Sequence, residues 1–171
     1  IGVLLIAGGP FLPLTDAHFA AWFFWASLGL IITASSEQFF VAFLEGQKLD
    51  DSVGLKLIFF QLITSAIGLV SYLTFDPLMT KIWGASICLF LLFFLIRIGF
   101  KIKASFSEAR PLSLAFTLGY IWAMLGGVTL IFASFSPYDR ALHAWVMGWA
   151  ITLIFAISVQ VLSWVSRTPL L

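Results

Sequence analysis

Long apolar runs alternate with short polar breaks along the whole chain. The runs cover residues of about 1–14, 17–44, 55–75, 81–100, 112–134 and 142–165. The last five reach the roughly 20 residues that a helix needs to cross a bilayer core of about 30 Å, and the first is too short. Backbone at membrane depth must satisfy its own hydrogen bonds, and the period-two pattern of a barrel is absent. We therefore predict an all-α, polytopic transmembrane helical bundle with one partial and five full spans.

The composition agrees with a membrane protein. Hydrophobic residues make up 61% of the chain and charged residues 10%, and the mean hydropathy of +1.08 is far above that of ordinary soluble domains. Because the polar breaks are short, residues 1–171 are predicted to form a single transmembrane helical domain. The chain starts at Ile1 with a short apolar run, so we expect a fragment or a shortened relative of a longer chain.

Charge and cysteine content narrow the range of partners. The net charge is +1 and no basic cluster is present, which argues against nucleic acid as a partner because phosphate binding needs several Lys or Arg side chains on one face. The lipid bilayer is therefore the expected partner. The single cysteine, Cys88, lies inside an apolar run, so neither a disulfide framework nor a cysteine-rich metal site is expected.

Basic residues are distributed unevenly between the two sides of the predicted bundle. Two of them, Lys81 and Arg140, lie on the side where the second and sixth runs begin. The other seven are Lys48, Lys56, Arg97, Lys101, Lys103, Arg110 and Arg167. Cytoplasmic loops carry the excess of Lys and Arg, so we predict that this second side is cytoplasmic. The entries of the second and sixth runs should then face the outside.

The two histidines of the chain, His18 and His143, both fall at those outer entries. Two imidazoles at one depth on different helices could ligate one metal ion or one heme iron, so both residues are candidate metal and cofactor ligands. The alternative is that each imidazole sits in the headgroup region, hydrogen-bonded to water or lipid. The sequence leaves both interpretations open, with the second favoured on geometry alone.

Motifs for hydrolytic chemistry are absent from the sequence. It contains no Gly-x-Ser-x-Gly elbow, no phosphate-binding Gly-Lys-Ser/Thr loop and no His-Glu-x-x-His pair. Whether the protein is an enzyme is left open. Glu37 is a carboxylate inside the second run, near the predicted cytoplasmic face. An ion pair with Arg97 is the favoured interpretation of Glu37, ahead of a role in proton transfer.

The last two runs resemble the C-terminal helices of the NnrS family, which are heme- and copper-associated multi-spanning proteins of the bacterial inner membrane. The stretch PLSLAFTLGYIWAMLGGV at 111–128 follows the family's Gly-Tyr-x-Trp motif and later Gly. The stretch RALHAWVMGWAITLIFAISVQV at 140–161 follows its Ala-x-His-Ala motif, with a Gly five residues after the His. The matching residues are Gly119, Tyr120, Trp122, Gly126, Ala141, His143, Ala144 and Gly148.

This resemblance implies a role in the nitric-oxide response or in redox physiology, with heme b as the expected cofactor and copper as a further one. It carries over His143 as a metal-binding position. Three other positions depart from the family pattern. Thr117 and Val165 stand where the family has His, and Gln160 stands where it tends to have Arg. At these positions the chain lacks the side chains that the family pattern carries.

Two other functions remain as alternatives. The first is a non-catalytic membrane subunit that packs against partner chains and holds lipid or quinone. The second is a transporter of small molecules or ions, for which Glu37 and an apparent repeat are the only indications. The repeat compares ITASSEQ at 32–38 with IFAISVQ at 154–160.

Overall fold

The computed structural model describes residues 17–43, 50–97, 111–132 and 137–167. The predicted partial span at 1–14 lies outside these residues. Five long helices, α1 to α5, make up nearly all of the described chain, and each is long and apolar enough to cross a membrane. The prediction of an all-α, multi-pass membrane protein with five full spans is thus confirmed.

The helices run alternately up and down. Helix α1 covers 17–43 as an α segment Ala17–Phe24, a π-helical segment Trp25–Gly29 and an α segment Leu30–Phe43. Helices α2, α3 and α4 are Asp51–Thr74, Pro77–Arg97 and Pro111–Phe132. Helix α5 covers 137–167 as Pro137–His143, a π-helical segment Ala144–Ala150 and Ile151–Arg167. The starts of α1, α3 and α5 therefore lie at one end of the bundle, which we call the histidine end.

The turn between α2 and α3 shows why α3 starts earlier than the apolar pattern predicts. Phe75 ends α2 in the left-handed conformation, with φ of 51°. Asp76 then accepts a hydrogen bond from the Leu78 backbone N–H at 2.9 Å, as an N-cap does, and Pro77 takes the first helical position. Helix α5 also begins with a proline, Pro137. Each proline stands beside a polar break in the sequence, at Asp76 before α3 and at Asp139 within α5, so hydropathy places these helix starts too late.

The five helices form a closed ring. Each helix packs against its neighbours in the chain, and the ring closes where the start of α1 packs against the start of α5. Indole rings fill its interior: Trp25, Trp83, Trp145 and Trp149 are fully buried. Two of their N–H groups are satisfied by other helices, because Trp25 Nε1 donates to Thr64 Oγ1 at 2.9 Å and Trp145 Nε1 donates to the Ala123 carbonyl at 3.0 Å.

The outside of the ring is apolar as well. Large aliphatic and aromatic side chains such as Leu73, Ile96 and Phe155 are about two-thirds exposed. Water would oppose so much contiguous apolar surface, whereas hydrocarbon accepts it. The described residues therefore have the surface of a lipid-embedded bundle.

Glycines set the closest helix contacts. A Cβ atom on Gly84 of α3 would lie 2.5 Å from the Gly127 carbonyl oxygen of α4, so these two backbones are in contact. Between α4 and α5 the contacts are reciprocal. Trp145 packs on Gly126, and Trp122 packs on Gly148, in each case where a side chain would leave no room for the indole. Small residues thus form the packing surfaces between α3, α4 and α5.

Candidate functional site

Both predicted ligands lie at the histidine end of the bundle. His18 is the second residue of α1 and His143 ends the first segment of α5, and these two segments pack against each other. The turn between α2 and α3 lies at the same end. Sequence reasoning therefore brought the two histidines to the correct shared end, although their surroundings differ sharply.

His18 is enclosed. Only 2% of its surface is exposed. The ring of Tyr138 is stacked on the imidazole with 3.6 Å between the centroids, and Trp83 lies nearly parallel to it at 6.2 Å. Tyr72 and Phe75 meet the imidazole edge-on at 5.4 and 5.9 Å. These four aromatic rings thus fix the plane of the His18 imidazole.

A chain of hydroxyl groups leads from His18 to the surface. The Ser71 hydroxyl lies 3.3 Å from His18 Nε2 and 2.9 Å from Thr80 Oγ1, and Thr80 Oγ1 lies 2.6 Å from the Tyr138 hydroxyl. Thr80 and Tyr138 also line a cleft of about 490 Å³ at the histidine end, together with Lys81. Hydrogen bonds thus connect a buried imidazole with a cleft that carries a positive charge.

His143 has the opposite environment, with 68% of its side chain exposed. Its Nδ1 lies 2.8 Å from the Asp139 backbone oxygen, one turn earlier in the same helix. A carbonyl oxygen can only accept, so Nδ1 carries the proton and Nε2 of the neutral ring keeps its lone pair. An imidazole held in this way by a backbone carbonyl is the usual arrangement of a metal-ligating histidine.

The exposed imidazole lines a surface groove between α4 and α5 of about 640 Å³. Its floor is apolar and its rim is charged. The lining residues are Trp122, Leu125, Thr129, Asp139, Arg140, His143, Ala144, Met147 and Gly148. A flat apolar molecule with acidic substituents would find both an apolar surface and a cation, Arg140, in this groove.

The described residues meet the ligand requirement of a heme more fully than that of a bare metal ion. Among them, no group of three His, Cys, Asp or Glu side chains could hold a metal. Heme iron already has four macrocycle nitrogens and needs one or two protein ligands. His143 fits that requirement as it stands. His18 fits less well, because an iron ion at its Nε2 would have to displace the Ser71 hydroxyl.

No known protein family, characterised protein or solved structure matches this chain in comparison. The packing nevertheless gives a physical reason for several residues of the sequence motifs. Gly126 and Gly148 receive indole rings, and Tyr120 and Ala141 are buried in the core. Thr117 is buried on α4, whereas the side chains of Gln160 and Val165 lie outside the description.

Sequence reasoning missed the hydroxyl chain. Ser71 and Thr80 flank the Asp76-Pro77 turn, and Tyr138 follows Pro137. A usable signal existed, because hydroxyl residues on both sides of a tight turn face the same end of the bundle. From hydropathy alone, the Asp76-Pro77 break indicates only a boundary between two apolar runs.

Proposed function

We propose that this protein is a multi-pass protein of the bacterial inner membrane that binds heme b at its outer face through His143, and that it acts in the nitric-oxide response or in redox physiology. The family resemblance supplies the physiological role. The observation that carries the ligand assignment is the Nδ1 contact of His143 with the Asp139 carbonyl, which leaves Nε2 exposed above an apolar groove.

The protein's own residues have distinct tasks in this proposal. The Asp139 carbonyl holds the imidazole in the tautomer that can ligate iron, and the Asp139 carboxylate lies 3.5 Å from the same nitrogen. Trp122 and Met147 supply apolar surface, and Arg140 supplies a cation for an acidic substituent. Bound heme would supply one-electron chemistry or a site for a small gas.

His18 remains the second candidate ligand. If it ligates the same iron as His143, its hydrogen bond to Ser71 must break and the stacked Tyr138 must move. Copper remains an expectation from the resemblance alone, since the described residues bring no cluster of three ligands together.

An absorption spectrum tests the proposal. The detergent-purified protein, reconstituted with hemin, should show a Soret band that shifts on reduction with dithionite. His143→Leu should weaken hemin binding at least about tenfold, because a single ligand bond is lost. The matched control, Met147→Leu, changes the same groove and should retain the Soret band. A well-folded protein without a Soret band would end the heme proposal.

A non-catalytic membrane subunit is the second candidate function, and one observation favours it. The groove beside His143 is open at the surface, with Trp122 45% and Met147 62% exposed. Aromatic and Met side chains are typical of protein interfaces. Stable co-purification of a partner chain, lost on Trp122→Ala in a protein that takes up no hemin, would favour this function over heme binding.

A further inference from the structure

Few side chains of this protein could join His143 as a second ligand of one heme iron. Imidazole, thiolate and thioether groups are the protein ligands that heme iron usually takes. Besides His143, five residues of the whole chain carry such a group. They are His18, Met79, Cys88, Met124 and Met147.

Helix α5 itself separates His18 from the groove beside His143. Tyr138 of this helix is stacked on the His18 imidazole, with 3.6 Å between the ring centroids. His143 follows Tyr138 by five residues, so it points roughly 140° away from Tyr138 around the helix axis. The groove on that second side is lined by His143 and not by His18. The two imidazoles thus face opposite sides of α5, and in this packing they cannot bind one iron together.

Met147 lines the groove but belongs to the same helix as His143. Two axial ligands must reach an iron from opposite faces of the macrocycle. The Cβ atoms of residues one helical turn apart are only about 5–6 Å from each other, which leaves no room for a macrocycle between the two side chains. Met79, Cys88 and Met124 are not among the described residues that line the groove. In the described bundle, none of the five candidates therefore lies opposite His143.

The wall that α4 contributes to this groove is largely apolar. Trp122 and Leu125 line it and are 45% and 42% exposed. The Thr129 hydroxyl donates its proton to the Gly126 carbonyl at 2.7 Å, so it has no proton left for a ligand. An anion would lose hydration against this wall without gaining a hydroxyl donor, whereas a small neutral molecule has little hydration to lose.

We propose that His143 is the only axial ligand that this chain supplies, and that the position opposite His143 takes a small neutral gas. The inference rests on the proposed heme binding and narrows it to one kind of chemistry. An iron with an open position suits the binding of a gas, whereas an iron with two fixed protein ligands suits electron transfer. Trp122 and Leu125 border the open position, and Arg140 stays at the rim of the groove.

Spin state and carbon monoxide binding test this inference in the full chain, purified in detergent and reconstituted with hemin. A single histidine ligand should give a high-spin electron paramagnetic resonance signal in the ferric protein and one broad visible band after reduction with dithionite. Carbon monoxide should then bind in a saturable manner and shift the Soret band. Two protein ligands would instead give a low-spin ferric signal and split visible bands before the gas is added.

Substitutions assign the ligands. His18→Gln and Met147→Leu should leave the spin state unchanged and the carbon monoxide affinity within about twofold of the wild type, because neither side chain contacts the iron. His143→Leu should weaken hemin binding at least about tenfold. If His18→Gln does not fold, the spin state of the wild-type protein decides, because a second protein ligand would already make it low-spin.

The possible failures are distinguishable. A Soret band that depends on His143, together with a low-spin signal, would overturn the inference and leave heme binding in place. Loss of that low-spin signal in His18→Gln would identify His18 as the second ligand, and its persistence in both control variants would indicate a ligand from another chain. The absence of a Soret band in a well-folded protein would overturn this inference and the proposed function together.

Discussion

At the scale of single residues, the stability of this bundle depends on glycines that receive indole rings. Gly68 on α2 contacts two indoles, because an added Cβ would lie 2.5 Å from Trp83 Cε2 and 2.9 Å from Trp22 Cδ1. We predict that Gly68→Ala destabilises the protein by about 1–3 kcal/mol, since one of two buried indoles must shift. Thermal unfolding in detergent measures the change.

Gly54 provides the control on the same helix. A Cβ there would meet nothing within 4 Å, so Gly54→Ala should stabilise α2 by roughly 0.5–1 kcal/mol through helix propensity. Equal melting temperatures for the two variants would contradict the packing argument for Gly68.

A second prediction concerns the hydroxyl chain below His18. Ser71 is fully buried and its hydroxyl contacts both His18 Nε2 and Thr80 Oγ1. Ser71→Ala should cost about 1–3 kcal/mol of stability, because it removes a partner from two buried polar groups at once. Ser52→Ala, at an exposed position of the same helix, should change the unfolding free energy by less than about 0.5 kcal/mol. A Ser71→Ala protein as stable as the control would show that the hydroxyl chain contributes nothing.

At the scale of helices, caps determine where the spans begin. Asp76 caps α3 through the Leu78 N–H, next to a left-handed Phe75 and ahead of Pro77. Asp76→Ala should cost about 1 kcal/mol, whereas Asp76→Asn should keep most of the stability because Asn caps helices about as well. Chemical denaturation of the three proteins measures the difference. Equal losses for both substitutions would indicate that the negative charge, rather than the cap, stabilises the turn.

Hydropathy predicted the number, order and direction of the five described helices because each helix must be apolar over a full membrane thickness. It did not predict the π-helical segments Trp25–Gly29 and Ala144–Ala150. The residue types in these segments do not distinguish them from the neighbouring α-helical turns. The segments lie where buried Trp25, Trp145 and Trp149 pack between helices. Their positions depend on neighbours that a single sequence does not place next to one another. The two helices that resemble each other in sequence, α1 and α5, are the ones that contain them.

At the scale of the whole molecule, the same limit applies to the candidate ligands. The sequence predicted His18 and His143 at one end of the bundle, because the number of helix crossings between two residues is enough to decide which end each one occupies. The sequence does not predict that one imidazole is enclosed and the other exposed. That difference depends on how the start of α5 packs against the start of α1 and closes the ring of helices. The start of α5 covers His18 with Tyr138, and the same helix turns His143 towards the groove on the outside.

The orientation of the bundle is the last prediction, and it rests on charge. With seven of nine basic residues on the opposite side, the histidine end should face the outside of the cell. The wild-type chain suits cysteine labelling, because Cys88, its single cysteine, lies eleven residues into α3 and is shielded from a membrane-impermeant maleimide by protein and lipid. Intact cells that express Asp139→Cys should be labelled. Cells that express Asp51→Cys, at the other end, should be labelled only after the membrane is opened.

Both aspartates are exposed in the bundle, so a difference in labelling reports the side of the membrane rather than burial. Labelling of the Asp51→Cys protein in intact cells, with the Asp139→Cys protein protected, would reverse the orientation. The His143 groove would then face the cytoplasm, and a heme there would exchange electrons with cytoplasmic rather than external donors. The labelling pattern therefore decides which compartment the His143 groove faces, whether or not its ligand has been found.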